Sequence, residues 1–233
     1  MFEAIILAGG FGTRLRSVVS DVPKPMAPTA GRPFLCHLLD ELQSQGYRHV
    51  VLATGYLHEK VQEQFGNRYN SIDIDYAVEH EPLGTGGAIV NGLQECREQK
   101  VTILNGDTLF RIDHQKLIDT CNAKSSLLAI ALRRVDHSER YGSVETDRSG
   151  RITVFREKDN RRQQGYINGG IYRLDRRLLD PFPLGQQFSF EKDILQKDYT
   201  TMPFYGVKFD GYFIDIGVPE DYARAQAELN GEK

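Results

Sequence analysis

The chain has 233 residues, 40% of them hydrophobic and 26% charged, with a formal net charge of -3. That balance gives no overall attraction to nucleic acid or an anionic membrane surface, so any positive charge that serves a phosphate must be local. No apolar run is long enough to span a bilayer, nothing at the N-terminus resembles a signal peptide, and Cys36, Cys96 and Cys121 are too scattered for a disulfide framework or a metal site, so a reduced, cytoplasmic protein is expected.

The first element is a short apolar strand, Ala4-Ile5-Ile6-Leu7, which passes through Ala8 into Gly9, Gly10, Phe11, Gly12, Thr13, Arg14, Leu15 and Arg16. Glycines there let backbone N–H groups converge on an anion, and the arginines add permanent charge, so the stretch reads as a phosphate cradle at a strand end. A Walker loop would need Gly-Lys-Ser/Thr where Gly12-Thr13-Arg14 stands, and a dinucleotide fingerprint would need glycine in place of Leu15. A plain strand-to-helix turn is the bland alternative. The prolines around Lys24, in Val22-Pro23-Lys24-Pro25, predict extended backbone and a lysine of fixed direction near the cradle.

Phe34, Leu35, Leu38, Leu39 and Leu42 follow Pro33 at helical spacing and end at Gly46, predicting an amphipathic helix. A strand over 49–54, a helix over 59–65 and a strand nearer a sheet edge over 72–78 come next. Glu79 then precedes Gly84-Thr85-Gly86-Gly87, which opens a helix carrying Ala88, Ile89, Leu93 and Cys96; its glycines admit either a ligand or simply the helix start. Val101–Leu104 reads as a buried strand ending in Asn105-Gly106-Asp107, where a carboxylate faces the ligand end of an α/β sheet or merely forms a turn before a helix over 113–121.

The second half reads as a strand over 127–132, a hairpin of 142–146 with 151–155, Glu157-Lys158, a polar loop over 159–165, and Ile167-Asn168-Gly169-Gly170-Ile171-Tyr172. A short helix over 190–197, an apolar strand bearing Asp215 and a terminal helix from Pro219 complete the chain. A carboxylate in an apolar strand calls for a partner.

Taken in order, the glycine–arginine loop, Pro23-Lys24-Pro25, Gly84-Thr85-Gly86-Gly87, Asn105-Gly106-Asp107, Glu157-Lys158, Asn168-Gly169-Gly170 and Asp215-Ile216-Gly217-Val218-Pro219 resemble the sugar-1-phosphate nucleotidylyltransferases over nearly the whole chain. More narrowly, Val22–Pro28, Leu83–Ala88 and Phe213–Tyr222 are similar to the D-glycero-D-manno-heptose 1-phosphate guanylyltransferases. The resemblance implies a Rossmann-like α/β fold: a mixed, mostly parallel sheet flanked by helices, with a small sugar-binding hairpin. It also implies a single domain over 1–233, its nucleotide half about 1–125 and its sugar half about 126–233, with no appended β-helix domain.

The implied chemistry is attack of a sugar 1-phosphate on the α-phosphorus of GTP or another nucleoside triphosphate, forming a GDP-sugar for bacterial surface glycans. The resemblance implies Mg²⁺ on Asp107 and Asp215, the catalytic set Arg14, Lys24, Asp107, Lys158 and Asp215, and a nucleotide site of Leu7, Ala8, Gly9, Gly10, Gly12, Thr13, Arg14, Lys24, Glu79, Gly84, Thr85, Gly106 and Asp107. The sugar phosphate would meet Tyr141, Gly142, Glu157, Lys158, Asn168 and Gly169. Related thymidylyl enzymes carry glutamine where Glu79 aligns; a carboxylate suits the N1–H and N2–H₂ donors of guanine, unless Glu79 is only an exposed charge. Mannose or another hexose 1-phosphate is the nearest rival substrate, a non-catalytic sugar-nucleotide sensor or a cytidylyltransferase the rival class, and a homodimer remains open. No nucleic-acid or membrane partner is expected.

Overall fold

The computed structural model of the chain describes residues 2–10, 22–136, 142–156 and 164–230. β1 (Phe2–Leu7) leads to Gly9 and Gly10, and description resumes at Val22. Lys24–Met26 is a single 3₁₀ turn, closed by Ala27 N–H on Lys24 O at 3.0 Å, where the prolines predict extended chain. Pro23 is extended, with ψ 151°, but Pro25 falls in the first turn, where its missing N–H forfeits no helical bond. A small hairpin, β2 (Pro28–Thr29) with β3 (Arg32–Pro33), precedes α1 (Phe34–Ser44), whose apolar stripe is buried and whose exit is turned by Gly46 at φ +85°.

The first half continues through β4 (Tyr47–Thr54), α2 (His58–Phe65), β5 (Arg68–Tyr69), β6 (Ile72–Val78), α3 (Gly84–Gly92), β7 (Lys100–Asn105) and β8 (Thr108–Phe110). Asp113 then caps α4 (His114–Ala123) by accepting from Gln115 N–H at 3.0 Å. The second half holds β9 (Leu128–Val135), the hairpin β10 (Val144–Thr146) with β11 (Ile152–Phe155), the long β12 (Gly165–Asp175), a π-helical turn Phe190–Leu195 running into α5 (Gln196–Asp198), β13 (Phe204–Phe209), β14 (Phe213–Asp215) and α6 (Pro219–Glu228).

The main sheet runs β11-β10-β12-β7-β1-β4-β6-β5, with β9 also on β12 and β13 on β9. β1 pairs in parallel with β4 and β7, and β4 with β6, so Gly9, Gly55, Glu79 and Asn105 gather at one end of the sheet. β12 runs antiparallel to β7 and β9 and carries the sheet from the first half into the second. Alternate residues of β1 and β4 feed opposite faces: Ala4, Ile6, Val50 and Leu52 join a core under α1, α4 and α6, whereas Ile5, Val51 and Ala53 join one under α3 and the π turn. Burial on both faces explains why these strands read as continuous apolar runs. Among the described residues, no helix is long and apolar enough to cross a membrane.

Candidate active site

At the carboxyl ends of β1, β6 and β7 lies a cavity of about 350 Å³. Its wall includes Leu7, Gly9, Gly10, Lys24, Glu79, Gly84, Thr85, Gly106 and Asp107, all expected in the nucleotide site. Ala8 is buried just behind, its N–H bonded to Ala53 O at 2.8 Å. Gly106 is glycine because a Cβ there would collide with Leu7 O, the atom that accepts Gly106 N–H at 3.0 Å. Close approach of the β1 and β7 ends is what closes this corner.

Asp107 and Asp215 come from distant segments. β8 and β14 form a separate antiparallel pair with Asp215 opposite Thr108, and Ile216 N–H donates to Asp107 O at 2.9 Å, which brings the two aspartates near enough for their charges to interact. Lys24 Nζ forms an ion pair with Asp107. It is also close to Asp215, because a Cβ added to Gly217 would sit 3.0 Å from Lys24 Nζ and 2.7 Å from Asp215 Oδ1. Burial pushes the Asp215 carboxyl above its ordinary range, and the charge of Asp107 pushes it further, against the opposing pull of Lys24 and of Gly217 N–H, which donates to Oδ1 at 2.7 Å. A second cation beside these two carboxylates would relieve that repulsion.

Glu79 projects from the end of β6. Its Oε2 accepts Leu83 N–H at 2.9 Å, which orients the approach to α3, and its Oε1 packs against Gly9, where a Cβ would strike it. Burial raises the Glu79 carboxyl, with the Leu83 bond opposing.

The glycines of α3 also make room for another segment of the chain. A Cβ on Gly84 or Gly86 would run into Phe188, and one on Gly87 into Gln186 O, so the strap 186–191 fills the space those side chains vacate. Gly84 also needs its φ of +69°. Thr85 Oγ1 donates to Glu191 Oε2 at 2.6 Å and accepts Phe190 N–H at 2.9 Å. Its one hydroxyl proton is committed to the strap.

In the second half, Asn168 pairs with Leu132 where a register irregularity of β12 against β9 begins that takes in Gly169, and Asn168 is bonded across it: Nδ2 donates to Tyr172 OH at 2.7 Å and Oδ1 accepts Gly170 N–H at 3.0 Å. Gly142, Asn168 and Gly169 do not line the cavity. Gly12, Thr13, Arg14, Tyr141, Glu157 and Lys158 lie outside the described residues. The wall also contains Pro25, Pro82, Ala88, Asn105 and Glu191, which the expected nucleotide site did not include. Asn105 could have been read from its place in Asn105-Gly106-Asp107. Glu191 has no local signal, since only the folded strap brings it there.

The nucleotidyl transferase family profile matches residues 3–232. A D-glycero-α-D-manno-heptose 1-phosphate guanylyltransferase of Aneurinibacillus thermoaerophilus is 48% identical over 227 residues, covering 97% of this chain and 98% of that protein. One of the same description from Campylobacter jejuni is 44% identical, covering 94% and 96%. HddC from Yersinia pseudotuberculosis, solved in complex with GMP-PN, superimposes with a TM-score of 0.86 at 39% identity, covering 98% of this chain and all of that one. In sequence and in fold, the chain belongs to the nucleotidyl transferase family, whose members generally use a divalent metal.

Proposed function

We propose that this protein transfers a guanylyl group from GTP to D-glycero-D-manno-heptose 1-phosphate, yielding a GDP-heptose and pyrophosphate. The observation that carries the reading is the cluster of Lys24, Asp107 and Asp215 near the β7 and β14 ends, of which Lys24 and Asp107 share a cavity wall with Gly9 and Gly10. A phosphate oxygen of the sugar 1-phosphate bonds to the α-phosphorus of GTP as the bond from that phosphorus to the β-phosphate bridge breaks. Both reactants are anions, so repulsion is the main obstacle.

Among the described residues, the cavity wall sets Glu79, Asp107 and Glu191 against one ammonium, Lys24. Such a wall repels a triphosphate unless positive charge is added. Asp107 and Asp215 supply two oxygen-donor carboxylates, the usual protein share of a Mg²⁺ site that substrate phosphates complete. Bound there, Mg²⁺ supplies neutralisation of the charge on the reacting phosphates. Lys24 is placed to leave Asp107 for a phosphate oxygen, while the amides of Gly9 and Gly10, with Gly12, Thr13 and Arg14, hold the triphosphate. Lys158 takes the sugar phosphate, and Tyr141, Gly142, Glu157, Asn168 and Gly169 take the sugar. The nucleotide half, about 1–125, and the sugar half, about 126–233, thus form one domain.

Glu79 reads guanine through N1–H and N2–H₂; its placement in the cavity wall and its orientation by Leu83 N–H support this. The two heptose 1-phosphate guanylyltransferase relatives, 48% and 44% identical, support heptose over mannose 1-phosphate. Use of GTP goes with a cytoplasmic location. The test is pyrophosphate release with each nucleoside triphosphate crossed with heptose, mannose and glucose 1-phosphates. GTP with the heptose 1-phosphate should give the highest kcat/KM; a higher value for another pair would overturn the assignment.

A further inference from the structure

Glu191 has no part in the reaction as set out above, yet it forms part of the cavity wall. It sits in the π-helical turn Phe190–Leu195, a wide-turn geometry that often accompanies functional positions. The backbone around it is pinned to α3: Gly86 N–H donates to Phe188 O at 3.0 Å, Phe188 N–H to Leu83 O at 3.0 Å, and Phe190 N–H to Thr85 Oγ1 at 2.9 Å. The carboxylate itself is anchored by one oxygen. Oε2 accepts from Thr85 Oγ1 at 2.6 Å and from Ser189 Oγ at 3.2 Å. Oε1 takes no part in either bond, and the residue lines the cavity.

Holding two hydroxyls does not require a charge, since an amide carbonyl would accept them too. The charge is also unfavourable here, with Glu79 and Asp107 in the same wall and a triphosphate due to enter. A carboxylate so placed repels phosphate and is matched by neutral donors. The hydroxyls of a sugar ring are such donors, and their bonds to a carboxylate are short and strong. We propose that Glu191 is a substrate-binding residue whose Oε1 receives ring hydroxyls of a sugar, either the glycosyl ring of the sugar 1-phosphate or the ribose of the nucleotide. This rests on the sugar-nucleotide reading above.

The test uses the full-length chain with GTP, 2′-deoxy-GTP, 3′-deoxy-GTP and heptose 1-phosphate. Wild type is compared with Glu191→Gln, Thr85→Val and the double variant. Glu191→Gln should raise one substrate's KM about tenfold or more, leave the other's nearly unchanged, and do so in the Thr85→Val background as well. A rise confined to heptose 1-phosphate identifies the glycosyl ring. A rise confined to GTP, and absent for one deoxy-GTP, identifies the ribose. Glu191→Asp, which keeps the charge and shortens the reach, should raise the same KM and replaces Glu191→Gln if that variant does not fold. Unchanged KM values for both substrates, or an effect that vanishes in the Thr85→Val background, would overturn the proposal and leave Glu191 only a tie for Thr85. Wild type without turnover would instead overturn the underlying reading.

Discussion

Lowering the pH from 7.5 to 5 should destabilise the protein through His114. This side chain is buried at the start of α4 and closes a chain of hydrogen bonds that begins at Arg173. Arg173, which can only donate, bonds Thr102 Oγ1 at 3.1 Å; Thr102 and Tyr47 hydroxyls lie 2.7 Å apart, and Tyr47 OH is 3.0 Å from His114 Nδ1. Tyr47 OH thus bridges Thr102 and His114, and it is burial that favours the neutral imidazole at the end of this chain. Burial lowers the His114 pKa from 6.5 to about 4, the charge of Arg173 adds to this, and Asp113 opposes it. The unfolded chain therefore takes up a proton near pH 6.5 that the folded chain refuses until about pH 4, so stability is complete above this window and is lost on the way down. At about 1.4 kcal/mol per pH unit, the loss between pH 7.5 and 5 is about 2 kcal/mol. Urea unfolding of wild type and His114→Gln at the two pH values measures it. Gln can still hydrogen-bond Tyr47 but cannot titrate, so its loss should be smaller by about 2 kcal/mol. Equal losses in the two proteins would mean that His114 does not account for the acid sensitivity.

Gly86→Ala drives a methyl into the Phe188 ring and should destabilise by about 1–3 kcal/mol, with Tm falling about 2–4 °C for each kcal/mol; an unchanged melt would mean that the strap does not rest on α3. Asp107→Asn should lower kcat by about a hundredfold or more, while a loss of only a few-fold would remove Asp107 from the metal site. Glu79→Gln should erode the preference for GTP over the other nucleoside triphosphates by about tenfold, in competition assays, and an unmoved preference would leave Glu79 with only its Leu83 bond.

Much of the sheet was legible because its strands are buried on both faces or alternate cleanly. Ala4–Leu7, Val101–Leu104 and Ile72–Val78 all form strands as expected, and Phe34–Leu42 forms the helix its spacing demands. Local pattern does not encode pairing between short remote segments. Phe213–Asp215 and Thr108–Phe110 are too short to show a period, yet their pairing brings Asp215 beside Asp107. β13 went unread because Gly206 interrupts its alternation; a Cβ there would strike Leu132. The glycines at 84–87 show the limit of composition most plainly. Glycine marks close approach, and only the fold shows that the approaching group is Phe188.

Asp107 and Asp215 are proposed to act together through a divalent cation on two phosphate substrates. The most direct measurement of this is initial-rate pyrophosphate release from GTP and D-glycero-D-manno-heptose 1-phosphate, with Mg²⁺ and then with excess EDTA, for wild type and for Asp215→Asn. Wild type should turn over with Mg²⁺, stop in EDTA and recover when Mg²⁺ is restored, and Asp215→Asn should be slow throughout. Turnover that persists in EDTA would mean that no divalent cation takes part.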